Sequence, residues 1–199
     1  MSARKSARKP QPRSSALLEN NIDELTLVLD KLKKRSADIE KTVKIIKTVF
    51  KNKGKILIFG NGGSAADANH FAAELVCRFE KNRKALPAIS LNTDTSILTA
   101  VGNDLGYKNV FARQIQALGT HSDAVIAVST SGKSENIIAA CKSAKNKGMK
   151  IIALTGAAGI RVKNLADVII AVPSKKTARI QEAHALALHT ICGHLENDM

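Results

Sequence analysis

Lys55–Glu74 reads KILIFGNGGSAADANHFAAE, and this stretch decides the fold. Its first six residues are a short apolar run closing on Gly60, the mark of a strand buried on both faces. A turn follows, Gly60-Asn61-Gly62-Gly63-Ser64, and then a helical pattern predicted over 65–80. Ser64 is placed to cap that helix, with Asp67 three residues on. A buried strand feeding a helix through a glycine turn opens a βαβ unit.

The alternation continues downstream. Strands are predicted at 87–91, Ala124–Ser129, Lys150–Thr155 and Asp167–Val172, and helices at 95–101, 107–117, 134–147, 160–165 and 177–196. Upstream, Leu18, Ile22, Leu25, Leu29 and Leu32, then Ile39, Val43, Ile46 and Val49, keep helical spacing over 16–52. Two helices with a bend near Arg35–Asp38 are expected. The predicted class is α/β: a three-layer, doubly wound, flavodoxin-like domain with a five-stranded parallel sheet and an N-terminal helical extension. Residues 16–199 form one domain, and 1–15 form a disordered basic tail. Such sheets bind ligands at the carboxyl ends of their strands.

Composition bounds the function. The 199-residue chain is 44% hydrophobic but 3% aromatic, so aliphatic residues build the core. No run reaches the roughly 18 apolar residues of a membrane span. Cys77, Cys141 and Cys192 are odd in number and lack metal-ligand spacing, which reads as reduced thiols in a cytoplasmic protein. Cys192 sits on an apolar helix face as a packing residue. The net charge is +14, and Arg4, Lys5, Arg8, Lys9 and Arg13 fall in a segment without acids. That segment has no apolar core of a secretory signal and no amphipathic pattern. It reads as a solvated arm rather than a nucleic-acid or membrane anchor. Most of the positive charge lies elsewhere and favours anionic ligands in general.

Two loops carry phosphate-binding character. Gly60–Ser64 offers backbone N–H groups at a helix start, the arrangement that holds anions, although a plain tight turn uses the same residues. Ser129-Thr130-Ser131-Gly132-Lys133-Ser134 follows the third strand and brings four hydroxyls to another helix start. Neither loop fits the Walker GxxxxGK[ST] pattern or the full GxGxxG pattern, so nucleotide binding is disfavoured. Both follow parallel strands and open on one sheet edge, as a phosphosugar site requires. Lys133 is either a point charge for the phosphate or a solvated lysine.

His70 and Glu74 stand at i and i+4, on one helix face, as a surface pair or a functional one. The last helix carries Gln181, Glu182, His184, His189 and His194 in an apolar stretch. Gln181 and His189 are separated by roughly 12 Å of helix. They meet around one ligand only at full reach, or with a neighbouring subunit supplying one side.

Taken together, GNGGSAADANHFAAEL, Gly102-Asn103-Asp104, STSGKS and ARIQEAHALALH resemble the phosphoheptose (sedoheptulose-7-phosphate) isomerase family, built on the sugar isomerase (SIS) domain. The resemblance runs from about Leu17 to Leu195. It implies an aldose–ketose isomerase that converts sedoheptulose 7-phosphate to D-glycero-D-manno-heptose 7-phosphate through an enediol, for bacterial surface heptose synthesis. It implies a homotetramer with sites near subunit interfaces. Asn61, Gly62, Gly63 and Ser64 would line the sugar, and Ser129, Thr130, Ser131 and Ser134 would hold the phosphate, with Asn103 and Asp104 nearby. Glu74 and His189 would be the acid–base pair. His70, Glu74, Gln181 and His189 would bind one zinc per subunit, with Glu74 and Gln181 also touching substrate. Two departures bear on substrate preference: Lys133 stands where Asn is typical, and Thr155–Gly159 lacks a Gly-Gly pair.

Two other readings compete. Non-enzymatic SIS proteins that bind the bacterial replication initiator resemble the whole chain, but carry Asn at the position of His189 and lack the glutamate at Glu74. Phosphosugar-sensing regulators accompany a DNA-binding module, and residues 1–54 show no convincing helix-turn-helix.

Overall fold

The computed structural model describes residues 14–198. The tail expected over 1–15 lies, up to residue 13, outside the described residues. The first helix, α1 (Ser14–Leu32), opens two residues earlier than its periodicity predicts. A 3-10 turn at Lys33–Arg35 makes the expected bend and leads into α2 (Ser36–Lys51).

The alternating elements follow: β1 (Ile56–Gly60), α3 (Gly63–Val76), β2 (Ala88–Ser90), α4 (Thr95–Asp104), α5 (Val110–Leu118), β3 (Ala124–Ser129), α6 (Glu135–Asn146), β4 (Lys150–Gly156), α7 (Ile160–Lys163), β5 (Val168–Val172) and α8 (Thr177–Asp198). The strands form one five-stranded sheet in the order β2-β1-β3-β4-β5. Every pairing is parallel, from Ile56↔Ala88 at one edge to Gly156↔Val172 at the other. β1 and β3 are buried throughout and read as unbroken apolar runs, whereas edge strand β5 alternates buried and half-buried residues. β2 is shorter than the predicted 87–91 and pairs with β1 over three residues, Ile56↔Ala88 to Ile58↔Ser90.

Alternate strand residues feed two cores. Ile56, Ile58, Ile126, Ile152 and Leu154 face α2, α3 and α8. Leu57, Phe59, Val125, Ala127 and Ile151 face α5 and α6, with Phe59 stacked on Phe111 at 5.1 Å. α1 adds Val28, which packs on Val172 and Ile180. The helices that follow β1 and β3, α3 and α6, therefore lie on opposite faces. The strand order reverses between β1 and β3, and the crevice beyond their carboxyl ends is where ligands bind in such sheets.

Two predicted boundaries move. Ser64 does not cap α3. Gly62 occupies the cap position with φ +56°, and the helix begins at Gly63, so Ser64 lies buried in its first turn. A left-handed glycine makes the turn that a side-chain cap would otherwise make. α3 also ends at Val76 rather than near residue 80, because the segment after it is held in another conformation by Arg83 and Glu196.

Candidate active site

The crevice is built from paired loops. The first loop is fixed to β2 by Asn92, whose Oδ1 accepts from Gly60 N–H at 3.1 Å and whose Nδ2 donates to Gly60 O at 2.9 Å. Asn61 and buried Asn136 exchange side-chain amide bonds at 2.9 and 2.8 Å, tying the first loop to the start of α6. Tyr107, largely exposed, donates its hydroxyl to Asn61 Oδ1 at 3.3 Å. Nothing local in the sequence marks Asn92, Tyr107 and Asn136. Isolated polar residues carry no periodic signal, and their partners are distant in the chain.

The second loop turns at Gly132, with φ +60°. Ser129 Oγ accepts from Gly132 N–H at 3.1 Å, and Ser131 Oγ accepts from Lys133 N–H at 3.2 Å. Ser134 is the N-cap residue of α6 but makes no capping hydrogen bond with its side chain. Thr130 gives its carbonyl to Gly156 N–H at 3.0 Å. The Lys133 side chain is exposed. Backbone N–H groups and hydroxyls at the start of a twelve-residue helix suit a phosphate monoester.

α3 and α8 pack side by side and supply the remaining groups. His70 Nε2 donates to Glu74 Oε1 at 2.9 Å, across one helical turn. The His189 ring lies edge to face with His70, centroids 5.0 Å apart. Gln181 rests against the first loop, close enough that a methyl group on Gly63 would fall 2.2 Å from its Nε2. His70, Glu74 and His189 thus adjoin within one chain, and Gln181 lies against Gly63 at the start of α3. Asn103 and Asp104 close α4 and bond to each other at 2.8 Å; among the described residues they make no hydrogen bond to either loop.

Two nearby acids differ in their surroundings. Asp67, one turn before His70, keeps Oδ2 buried without a partner. Burial holds its carboxyl above the usual range, with the charge of His70 working against the shift. Glu196 is also buried, and burial alone would raise its pKa. Three backbone N–H groups and Arg83 outweigh that and hold it below the usual range.

Two imidazoles, a carboxylate and an amide oxygen are a donor set of the kind zinc accepts, with the amide the weakest of them. Three of these groups adjoin. Glu74 and His70 are, however, bonded to each other, and among the described residues no three His, Cys, Asp or Glu side chains are disposed around one point for an ion. The residue types fit a metal, and binding requires the His70–Glu74 bond to open.

His184 faces the other way. It is fully buried, and neither ring nitrogen has a hydrogen-bond partner of good geometry. Burial pushes its pKa down to about 4, against a small opposing contribution from the Thr155 backbone. It is a neutral core residue. Cys192 is likewise core, its thiol pushed up to about 12 first by burial and then by the charge of Glu74.

Comparison with known proteins shows the family and the fold. Residues 21–156 match the SIS domain family model. The chain is 51% identical to a phosphoheptose isomerase of Helicobacter pylori strain P12, over 79% of this chain and 82% of that one. It is 47% identical to a phosphoheptose isomerase of a Roseiflexus species, over 89% and 92%. Among solved structures, the Francisella tularensis phosphoheptose isomerase superposes with a TM-score of 0.90 at 35% identity, covering 94% of this chain and 100% of that one. The Neisseria gonorrhoeae phosphoheptose isomerase gives 0.87 at 39% identity, covering 92% and 98%.

Proposed function

The chain belongs to the phosphoheptose isomerase family of SIS-domain proteins, and from that premise we propose how its residues divide the work. The protein is an aldose–ketose isomerase that interconverts sedoheptulose 7-phosphate and D-glycero-D-manno-heptose 7-phosphate. The observation that carries the division of work is the convergence of Glu74, His70 and His189 beside the crevice between β1 and β3.

The phosphate is held by the N–H groups and hydroxyls of Ser129, Thr130, Ser131 and Ser134. The sugar runs from there along Asn61, Gly62, Gly63 and Ser64 toward α3 and α8, with Asn103 and Asp104 at its margin. Glu74 takes the proton from C1 of the ketose as electrons move to the C2 carbonyl, leaving an enediolate. It then returns a proton to C2 while the C1 oxygen becomes the aldehyde. Over the same cycle O1 loses a proton and O2 gains one, and His189 carries it between them. Gln181, held against Gly63, offers its amide N–H to the oxygen that bears the developing charge. His70 orients the Glu74 carboxylate.

One zinc ion per subunit, bound by His70, Glu74, Gln181 and His189, is part of the reading; it would supply Lewis-acid polarisation of the sugar carbonyl. So are a homotetramer, a cytoplasmic location and a place in bacterial surface heptose synthesis. No helix among the described residues is long and apolar enough to cross a membrane. Glu74 and His189 are both present, which favours catalysis over the non-enzymatic initiator-binding relatives. α1 and α2 pack on α8, which gives no support to a separate DNA-binding module. The direct test is incubation of the purified protein with sedoheptulose 7-phosphate and candidate shorter ketose phosphates, with products read by NMR. A heptose 7-phosphate is expected from the first, and no aldose product from any of them would reject the reading.

A further inference from the structure

A second, buried polar cluster lies behind the acid–base groups. α3 ends on open carbonyls, as every helix does. Arg83 covers two of them: its guanidinium donates to Glu74 O at 2.6 Å and to Leu75 O at 2.9 Å. Glu196, near the end of α8, accepts three successive N–H bonds, from Phe79 at 2.7 Å, Glu80 at 2.8 Å and Lys81 at 2.9 Å. The two side chains approach to 3.2 Å, with 7% and 2% of their surface exposed. Arg83 Nε makes this contact as a charge pair, without hydrogen-bond alignment. The segment from residue 77 to 83 is thereby clamped between α3 and α8.

The clamp has two outputs, both toward the site. At one end Arg83 bonds the backbone of Glu74 itself. At the other, Phe79 is held with its ring stacked on His189, centroids 5.3 Å apart and planes at 29°. A Cβ at Gly193, one turn after His189, would stand 3.9 Å from the ring edge, an ordinary packing distance. His189 is thus bounded by the rings of Phe79 and His70. A buried ion pair is a weak source of net stability compared with apolar residues of the same volume. Its distinctive contribution here is directional.

We propose that the Arg83–Glu196 pair is a positioning device for the isomerase reaction, setting Glu74 through the end of α3 and His189 through the Phe79 ring. The inference rests on the assignment of Glu74 and His189 as the acid–base pair. Arg83, Glu196 and Phe79 are positioning residues and touch no substrate.

An internal control exists. Lys55 and Asp123 form another ion pair, at 2.7 Å, with Asp123 buried and accepting backbone N–H bonds, at the amino-terminal end of the sheet. It is of the same kind but away from the crevice. The experiment compares full-length wild type, Glu196→Gln, Phe79→Leu and Asp123→Asn. It measures kcat and KM for sedoheptulose 7-phosphate, the thermal midpoint, and the ring resonances of His189 in protein carrying labelled histidine, assigned with His189→Asn. Glu196→Gln and Phe79→Leu are expected to move the His189 resonances and to lower kcat about ten-fold, with KM within about two-fold. Asp123→Asn is expected to lower the thermal midpoint and leave kcat and those resonances unchanged. The proposal is overturned if Glu196→Gln keeps wild-type kcat and His189 resonances, or if Asp123→Asn lowers kcat equally. Should Glu196→Gln not fold, Phe79→Leu decides on the same readouts. If the wild type itself shows no turnover, the acid–base assignment fails, while the His189 resonances still decide whether the clamp sets that ring.

Discussion

The imidazole rings of His70 and His189 meet edge to face, 5.0 Å between centroids, within one protomer, although they stand on helices far apart in the chain. His70 also bonds Glu74. Through this one ring the first helix after β1 and the last helix of the domain become one site.

Gly63 brings the first loop against Gln181 of α8. Its φ is not left-handed, so an alanine is accepted by the backbone. The added methyl would fall 2.2 Å from Gln181 Nε2, and the flexible amide must swing away. Gly63→Ala is expected to fold normally and to lower kcat/KM by about ten-fold or more, since small displacements of a positioning group are costly to rate. Circular dichroism and steady-state kinetics check both halves.

Gly132 tests the phosphate loop. Its φ of +60° disfavours any side chain, and a Cβ would stand 2.5 Å from Gly159 Cα, which is backbone and has little freedom to yield. Gly132→Ala combines a left-handed strain of about 1–2 kcal/mol with a displaced loop. Thermal stability should fall, and inorganic phosphate should lose potency as a competitive inhibitor, measured as a raised inhibition constant.

His184 predicts an acid sensitivity. Its folded-state pKa of about 4 lies below the ordinary 6.5, so between those values the unfolded chain binds a proton that the folded chain does not. Stability is complete above about pH 6.5, declines as pH falls, and has lost the His184 contribution by about pH 4. That contribution is on the order of 3 kcal/mol. Denaturant titrations at pH 7 and pH 5 should show wild type losing more stability than His184→Leu over this interval. Equal losses would show that His184 is not the sensor. Asp123 and Glu196 act lower, because depressed carboxylates lose their contribution only as pH falls through their folded-state values.

The zinc reading predicts that thorough chelation removes activity and that added zinc restores it, with His70→Gln needing more zinc for the same recovery. Metal content by elemental analysis, set beside turnover, checks this. Wild-type activity in metal-free protein would reduce zinc to an incidental ligand.

Much of the fold is legible in the chain because the strands are apolar runs closed by small or polar residues. Lys55–Gly60 and Ala124–Ser129 show this, and the loops after them mark the crevice. Ser64 shows where local reading stops. Its residue type fits a cap, but Gly62 adopts a positive φ and starts the helix two residues early. α3 shows the same at its other end, where helix-compatible residues after Val76 are drawn out of the helix by Arg83 and Glu196. His70 and Glu74 are visible as an i, i+4 pair. The closeness of His189 to His70, of Gln181 to Gly63 and of Phe79 to His189 depends on how α8 lies against α3, which no spacing within either helix specifies.

The most direct measurement is turnover of sedoheptulose 7-phosphate by Glu74→Gln, alongside wild type and a folding control by circular dichroism. The amide keeps size and hydrogen-bonding capacity but cannot take a proton from carbon. A native spectrum is expected, with a rate lowered by roughly 10²–10⁴-fold. A folded Glu74→Gln protein that makes heptose 7-phosphate at the wild-type rate would contradict this expectation.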